Sequence, residues 1–320
     1  MSRIDTQHLL EPLDGLGRVT LNQVGLPEVR ARVEQVAAHH DIPVPSVLLN
    51  QGDSPFALQQ VQSNVDNGVA TITINRPESR NAINSRVREG LFTAWERFEK
   101  DTDARAAILT GAGDKAFCAG ADLLAIGDGT GGQTLAERLN LFLPRLGQAF
   151  NRIETSRLPI IAAVNGLTLA GGLELVLCCD LVIAAHPARF GDAHANYGLL
   201  PGGGGSVRLP RKIGEARAKH LMMTGGTISA AEMKEAGLVT QLVAPEDLIA
   251  AAQALVESLA EKSRPGLAYM KQLVRAAQDS SLEVGLRQEL EAMAAYALSN
   301  DIVEGLAAFR EKRKPDFSDR

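Results

Sequence analysis

The sequence predicts an α/β fold in which strands and helices alternate through the middle of the chain and helices alone close it. Short apolar runs of buried-strand type, Ala106–Thr110, Ile160–Val164 and Leu181–Ala185, recur between helical patterns. Glycine-bearing loops of small residues follow the first two of them. From Pro245 onward, four helical patterns succeed one another with little strand character.

Taken in order, Val69-Ala-Thr-Ile-Thr-Ile74 alternates as a strand should. Asn84-Ser85 then offers an N-cap for an amphipathic helix running to about Lys100, with Val87, Leu91, Trp95 and Phe98 on one face. After the strand at Ala106–Thr110, a Gly- and Thr-rich stretch from Gly127 to Gln133 reads as a mobile loop before a helix around Leu135 to Thr155. The strand Ile160–Val164 gives way to a helix that continues through Leu175–Cys179. Leu181–Ala185 and Val239–Val243 complete the alternation, and the closing helices should span Asp247 to Lys262, Pro265 to Ala277, Leu282 to Leu298 and Asp301 to Lys312.

The chain therefore divides into residues 1–60, an extension of no assigned role, an α/β core over 61–245, and a helical region over 246–320. In the extension, Pro27 to His39 places Val29, Val33 and Val36 at helical spacing, while Pro43-Val-Pro45 and Asn50-Gln-Gly-Asp-Ser-Pro55 read as linker. His39 and His40 read as a solvated helix end rather than metal ligands.

Composition bounds the function. With 320 residues and 45% hydrophobic content the chain can bury one large core. It has no eighteen-residue apolar run, so no membrane span is predicted. The start, Met1-Ser-Arg-Ile-Asp-Thr-Gln-His, lacks an apolar signal region and an Arg-rich, acid-poor character, and the expected location is cytoplasmic. Cys118, Cys178 and Cys179 are odd in number and sit in apolar surroundings, which fits reduced thiols. Their spacing with His186 fits no zinc pattern, and no metal is expected. A net charge of −5, from 33 basic and 38 acidic residues, argues against a nucleic-acid partner.

The candidate chemistry sits at two strand ends. In Asn165-Gly-Leu-Thr-Leu-Ala-Gly171-Gly172-Leu-Glu174 a carboxylate lies one turn into a helix that begins at a glycine pair. The first N–H groups of a helix lack intrahelical partners and carry partial positive charge, so they can hold an oxygen on which negative charge develops. The second strand end, Gly111-Ala-Gly-Asp-Lys-Ala-Phe117-Cys-Ala-Gly120-Ala121-Asp122, can offer a second such donor. Its Gly111-x-Gly113 is a weak match to either nucleotide fingerprint, so a phosphate loop is disfavoured.

At these residues the chain resembles the crotonase superfamily, whose best-known members are the enoyl-CoA hydratases and isomerases. The resemblance also takes in Asn75-Arg-Pro-Glu-Ser-Arg-Asn-Ala-Ile-Asn84, Phe190-Gly191, Leu200-Pro201-Gly202-Gly-Gly-Gly-Ser-Val-Arg-Leu-Pro210 and Glu304-Gly-Leu-Ala-Ala-Phe-Arg-Glu-Lys-Arg-Lys-Pro-Asp-Phe317. It covers about residues 61 to 320. It implies a core of stacked ββα units wound as a superhelix, a C-terminal helical region that builds a trimer contact, and hence a homotrimer or a hexamer.

The resemblance also assigns residues. The N–H groups of Ala121 and Gly171 would form the oxyanion hole of an acyl-CoA thioester substrate. Ala119, Asp122, Leu123, Gly172, Pro201 and Gly202 would line the substrate site. Coenzyme A enters as part of that substrate, with no separate cofactor. The basic run Arg310, Lys312, Arg313 and Lys314 would suit its phosphates, or else complement the dipole of a solvated helix end. Glu174 matches the first of the two glutamates that hydratases use to orient water and shuttle its proton. The second should lie twenty residues later, and that residue is His194.

A histidine there can replace the missing acid–base group, hydrogen-bond to Glu174, or merely fill the pocket wall. Asp192 would point elsewhere if its segment is extended, and reads as structural. The readings left open are hydration of an enoyl-CoA with Glu174 and His194, another enolate reaction of the superfamily such as isomerisation, decarboxylation or thioester hydrolysis, and a catalytically weak acyl-CoA-binding protein. Acyl chain preference depends on how the region from Gly127 to Leu143 walls the pocket.

Overall fold

The computed structural model describes residues 60–127 and 132–317. The expected N-terminal helix and the His39–His40 pair lie outside the described residues, as does most of the Gly- and Thr-rich loop.

The elements run β1 (Val61–Asp66), β2 (Val69–Ile74), α1 (Ser85–Lys100), β3 (Ala106–Gly111), β4 (Ala116–Cys118), α2 (Leu123–Gly127), α3 (Leu135–Thr155), β5 (Ile160–Val164), β6 (Leu167–Leu169) and α4 (Gly171–Leu177). They continue with β7 (Leu181–Ala185), β8 (Arg189–Gly191), α5 (Gly205–Ile213), α6 (Glu215–Thr224), β9 (Ile228–Ser229), α7 (Ala230–Glu235), β10 (Gln241–Val243), α8 (Leu248–Ala260), α9 (Arg264–Ala277), α10 (Leu282–Tyr296) and α11 (Asn300–Glu311). A 3-10 turn spans His194–Tyr197.

The strands form two sheets, a six-stranded one in the order β1-β2-β3-β5-β7-β10 and a four-stranded one in the order β4-β6-β8-β9. All neighbours in the first are parallel except the β1–β2 hairpin. Its central strands β3, β5 and β7 read as near-continuous apolar runs because both faces are covered, whereas β1 and β2 alternate. Side chains alternate between the two sides: Ala107, Leu109, Ile160, Ala162, Val182 and Ala184 enter the main core with α1 and α3. Ala106, Ile108, Ile161, Ala163, Ile183 and Ala185 pack instead on Leu248, Ala252 and Val256 of α8.

Helix α1 begins where its cap predicts, with the Asn84 side chain accepting from the Val87 N–H at 2.9 Å. Val87, Leu91, Trp95 and Phe98 are buried as its 3.6-residue spacing requires. Helix α3 lies against it, started by a capping box between Thr134 and Glu137.

The second sheet was not legible in the sequence. Its strands are two or three residues long, too short for a period of two to register. The consequence is local but important, because β6 rather than β5 delivers the chain to α4.

The four C-terminal helices fall within a few residues of their expected bounds. Helix α10 buries no residue in the single chain, and Leu282, Leu286, Leu290 and Met293 on it are exposed, as are Val303, Leu306 and Phe309 on α11. Among the described residues no helix is long and apolar enough to cross a membrane.

Candidate active site

The end of β6 and the loop after β4 meet at a strained junction. Ala170 adopts φ 46° and ψ −117°, a conformation that non-glycine residues rarely hold and that costs on the order of 1–3 kcal/mol. It is fixed from both sides: its N–H donates to the Gly191 carbonyl at 3.0 Å and its carbonyl accepts from the Glu174 N–H at 2.9 Å. Gly171 thereby becomes the first residue of α4, where an N–H has no intrahelical acceptor.

The facing loop is held by the Asn75–Asn84 segment. Ile83 donates to the Gly120 carbonyl at 2.7 Å and accepts from the Asp122 N–H at 2.9 Å. In such a parallel bridge the intervening residue turns its own N–H away from the partner, and that residue is Ala121. Gly120 has φ 98°, and a Cβ there would lie 2.9 Å from the Ala170 Cβ and 3.2 Å from the Gly171 nitrogen, so a side chain would push the two loops apart. A Cβ on Gly171 would in turn lie 3.4 Å from the Ala121 nitrogen. The Ala121 and Gly171 N–H groups are thus neighbours, and neither has a hydrogen-bond partner among the described residues.

Glu174 is 2% exposed on a helix that is buried throughout. Its Oε1 accepts from the Gly203 N–H at 2.8 Å and the Gly205 N–H at 2.9 Å. The carboxylate is therefore aimed by backbone donors of the Pro201–Gly205 loop. That loop is gripped by Arg208, whose Nη1 donates to the Gly203 carbonyl at 2.8 Å. Its Nε and Nη2 pair with Glu154 at 3.1 and 2.8 Å, and Nη2 also donates to Asn151 Oδ1 at 2.6 Å. Arg208→Met is expected to slow turnover on the order of tenfold and to lower stability by about 1–3 kcal/mol, because Gly203 and Glu154 lose a charged donor. Steady-state kinetics together with thermal unfolding check both effects.

His194 does not lie on an extended segment. The 3-10 turn folds it back onto Asp192, and its Nδ1 stands 3.0 Å from Asp192 Oδ1. Asp192 is 2% exposed, so the residue expected to point elsewhere is the direct partner of His194. Burial of the imidazole lowers its pKa, but the hydrogen bond it donates to Asp192, the Asp192 charge and the Glu174 charge outweigh that and leave it raised. The Glu174 carboxylate and the His194 ring therefore sense each other electrostatically, although His194 bonds to Asp192 rather than to Glu174.

The other expected site residues are spread around this centre. Ala119 donates its N–H to the Arg80 carbonyl at 3.0 Å. Asp122 pairs with Arg76 at 2.9 Å and accepts from the Ala125 N–H at 3.1 Å, which caps α2. Leu123 opens that helix and is exposed, Gly172 packs on the backbone of β4, Pro201 is half-buried, and Gly202 is exposed beside Leu143 of α3.

Cys118, Cys178 and Cys179 are buried and free. Burial pushes the Cys118 and Cys178 thiols up to about 12, so they pack rather than react. In the basic run, Arg313 is taken up by Glu304 and Glu311, and Lys314 by Glu261 at 3.1 Å. The Arg313 guanidinium holds the Glu304 carboxyl down to about 2, so these two cations answer to neighbouring carboxylates in the single chain.

Comparison with known proteins places the chain in a family. The family model for enoyl-CoA hydratase/isomerase matches residues 64–320. The chain belongs to the enoyl-CoA hydratase/isomerase family. It is 40% identical over 255 residues to a probable enoyl-CoA hydratase of Mycobacterium tuberculosis, covering 80% of this chain and 96% of that one. It is 38% identical over 256 residues to the 2,3-dehydroadipyl-CoA hydratase of Escherichia coli, covering 79% and 96%. Among solved structures, the enoyl-CoA hydratase of Bacillus anthracis superposes with a TM-score of 0.77 at 35% identity, covering 82% of this chain and all (100%) of that one.

Membership of the enoyl-CoA hydratase/isomerase family makes the chain an acyl-CoA-processing protein of the crotonase superfamily and accounts for its mixed α/β architecture. The hydrogen bonds around Glu174 and His194 also bring in residues that the sequence did not single out for these contacts. Gly203, Gly205 and Arg208 stood in a glycine-rich run whose first members were assigned to substrate, and nothing in a run of like residues tells which N–H groups turn inward. Asp192 was visible at a two-residue spacing from His194, but the left-handed Ala193 between them, at φ 59°, was not.

Proposed function

We propose that this enoyl-CoA hydratase/isomerase family member hydrates a 2-enoyl-CoA. The observation that carries the reading is Glu174, a buried carboxylate fixed by two backbone donors in the helix that begins at the free Gly171 N–H. Such a group is held ready to take a proton from water, close to where charge would build on a bound thioester oxygen.

In the proposed reaction the thioester carbonyl oxygen accepts from the Ala121 and Gly171 N–H groups. Glu174 removes a proton from water as the water oxygen bonds to C3, and the electron pair of the double bond passes through C2 to the thioester oxygen. His194 then supplies the proton that C2 takes up, and the enolate collapses to the 3-hydroxyacyl-CoA. The two donors stabilise the enolate, and each is worth about 3–4 kcal/mol in the transition state. Ala119, Asp122, Leu123, Gly172, Pro201 and Gly202 wall the substrate, coenzyme A arrives with it, and no further cofactor is required.

The exposed apolar faces of α10 and α11 support assembly as a homotrimer or hexamer. The free, buried thiols fit a cytoplasmic protein.

A second reading is favoured by one observation. An imidazole paired to Asp192 stands where hydratases carry a carboxylate, and it suits another enolate reaction of the superfamily. A panel of crotonyl-, malonyl- and 3-hydroxyacyl-CoA thioesters separates the two. Loss of the conjugated thioester absorbance with crotonyl-CoA supports hydration, whereas turnover confined to the other thioesters supports the second reading, and binding without turnover on any of them supports an acyl-CoA-binding role.

A further inference from the structure

We propose that Asp192 is a positioning residue, which turns His194 Nδ1 to itself and leaves Nε2 as the nitrogen that exchanges a proton with substrate. The inference rests on the site assigned above and deepens it by stating how the group partnering Glu174 is set.

The fold places the pair at the reaction centre. Strand β8 runs parallel to β6, with Thr168 opposite Phe190 and Leu169 opposite Gly191. Asp192 therefore leaves β8 level with the point where Ala170 leaves β6, immediately before the Gly171 N–H. Ala193 then adopts φ 59° and ψ −6°, a left-handed conformation disfavoured for alanine, and this reverses the chain so that His194 comes back over Asp192. Both the His194 backbone N–H, at 3.4 Å, and the ring Nδ1, at 3.0 Å, meet Asp192 Oδ1. No other hydrogen-bond partner of the Asp192 carboxylate, and none of His194 Nε2, is found among the described residues.

A buried carboxylate with a single partner is costly unless that partner bears a positive charge. Asp192 therefore favours the imidazolium, and the Glu174 charge acts in the same direction. From α6, the helix packed against the turn, Glu215, Arg217, Lys219 and His220 are all exposed, so they screen the pair weakly. In the imidazolium both nitrogens carry protons. The Nδ1–H is held by Asp192, and the Nε2–H is the one released to C2. After that step the neutral ring keeps its proton on Nδ1, with the Nε2 lone pair free to be reprotonated by the proton that Glu174 took from water.

The sign of the linked stability follows. Because the folded form holds the His194 proton more tightly than the unfolded chain, its contribution to stability is complete below the ordinary histidine pKa of about 6.5 and is lost as pH rises through the raised folded value.

The test uses the full chain with ring-labelled histidine. In wild type, neutral His194 is expected to carry its proton on Nδ1, and in Asp192→Asn its titration midpoint is expected to fall. The kcat for crotonyl-CoA should drop at least tenfold in Asp192→Asn with KM little changed, and the pH limb belonging to the acid should shift with the midpoint. In a His194→Ala background, adding Asp192→Asn should change kcat no further. A neutral His194 protonated on Nε2, an unmoved midpoint in Asp192→Asn, or an equal loss of rate without His194 would each overturn the assignment. Should Asp192→Asn fail to fold, the wild-type tautomer alone decides. Absence of crotonyl-CoA turnover alongside the expected tautomer and midpoint shift would count against hydration and leave the pairing standing.

Discussion

Glu174→Gln is expected to abolish measurable hydration of crotonyl-CoA while the protein stays folded. The amide keeps an oxygen that can accept from Gly203 and Gly205, so the 2.8 and 2.9 Å contacts survive in weaker form. What disappears is the only buried carboxylate on α4, and with it the group proposed to take the proton from water. General acid–base groups contribute about 10²–10⁴ in rate, and a loss in the upper part of that range is expected because no second glutamate stands behind it. Acyl-CoA binding should be retained, since neither the Ala121 nor the Gly171 N–H depends on this side chain. Binding measured by calorimetry beside the absorbance assay separates loss of chemistry from loss of site.

Gly172→Ala is expected to be the most damaging single methyl in the chain's centre. A Cβ at this position would lie 2.1 Å from the Cys118 carbonyl oxygen and 2.8 Å from its carbonyl carbon. Those atoms belong to β4, a buried strand, so nothing flexible can move aside. Relief requires α4 to back away from the second sheet. Overpacking costs typically about 1–3 kcal/mol and sometimes more, and a rigid backbone clash belongs at the upper end. At roughly 2–4 °C per kcal/mol for a domain of this size, thermal unfolding should fall by at least about 5 °C. The same displacement draws the Gly171 N–H away from Ala121, so whatever folds should show reduced turnover as well.

These two positions also mark how far the sequence could be read. Glu174 and the glycine pair were recognisable because a carboxylate one turn into a helix that starts on glycines has few structural uses. Strands such as Ile160–Val164 and Leu181–Ala185 were legible to the residue because both of their faces are buried and their apolar runs end abruptly. The strands that bring the two N–H groups together, β4 and β6, were not, since three residues carry no period. Arg208 was hidden for a different reason. Its work is done through a backbone carbonyl, and no spacing of side chains records such a bond. His194 was located by counting, but its partner depended on a single backbone reversal at Ala193, which no residue type announces.

The basic run near the C-terminus was expected either to suit the phosphates of coenzyme A or to complement a solvated helix end. In the folded chain Arg313 pairs with Glu304 and Glu311, and Lys314 with Glu261.

In the proposed reaction a thioester enolate forms between the Ala121 and Gly171 N–H groups and is protonated at C2. Turnover of crotonyl-CoA by the wild-type protein in heavy water, followed by mass spectrometry of the product, tests it most directly. The expected product is 3-hydroxybutyryl-CoA carrying one deuterium at C2, and none of it is expected with Glu174→Gln. Crotonyl-CoA that binds but is recovered unchanged, with no deuterium in any acyl product, would contradict it.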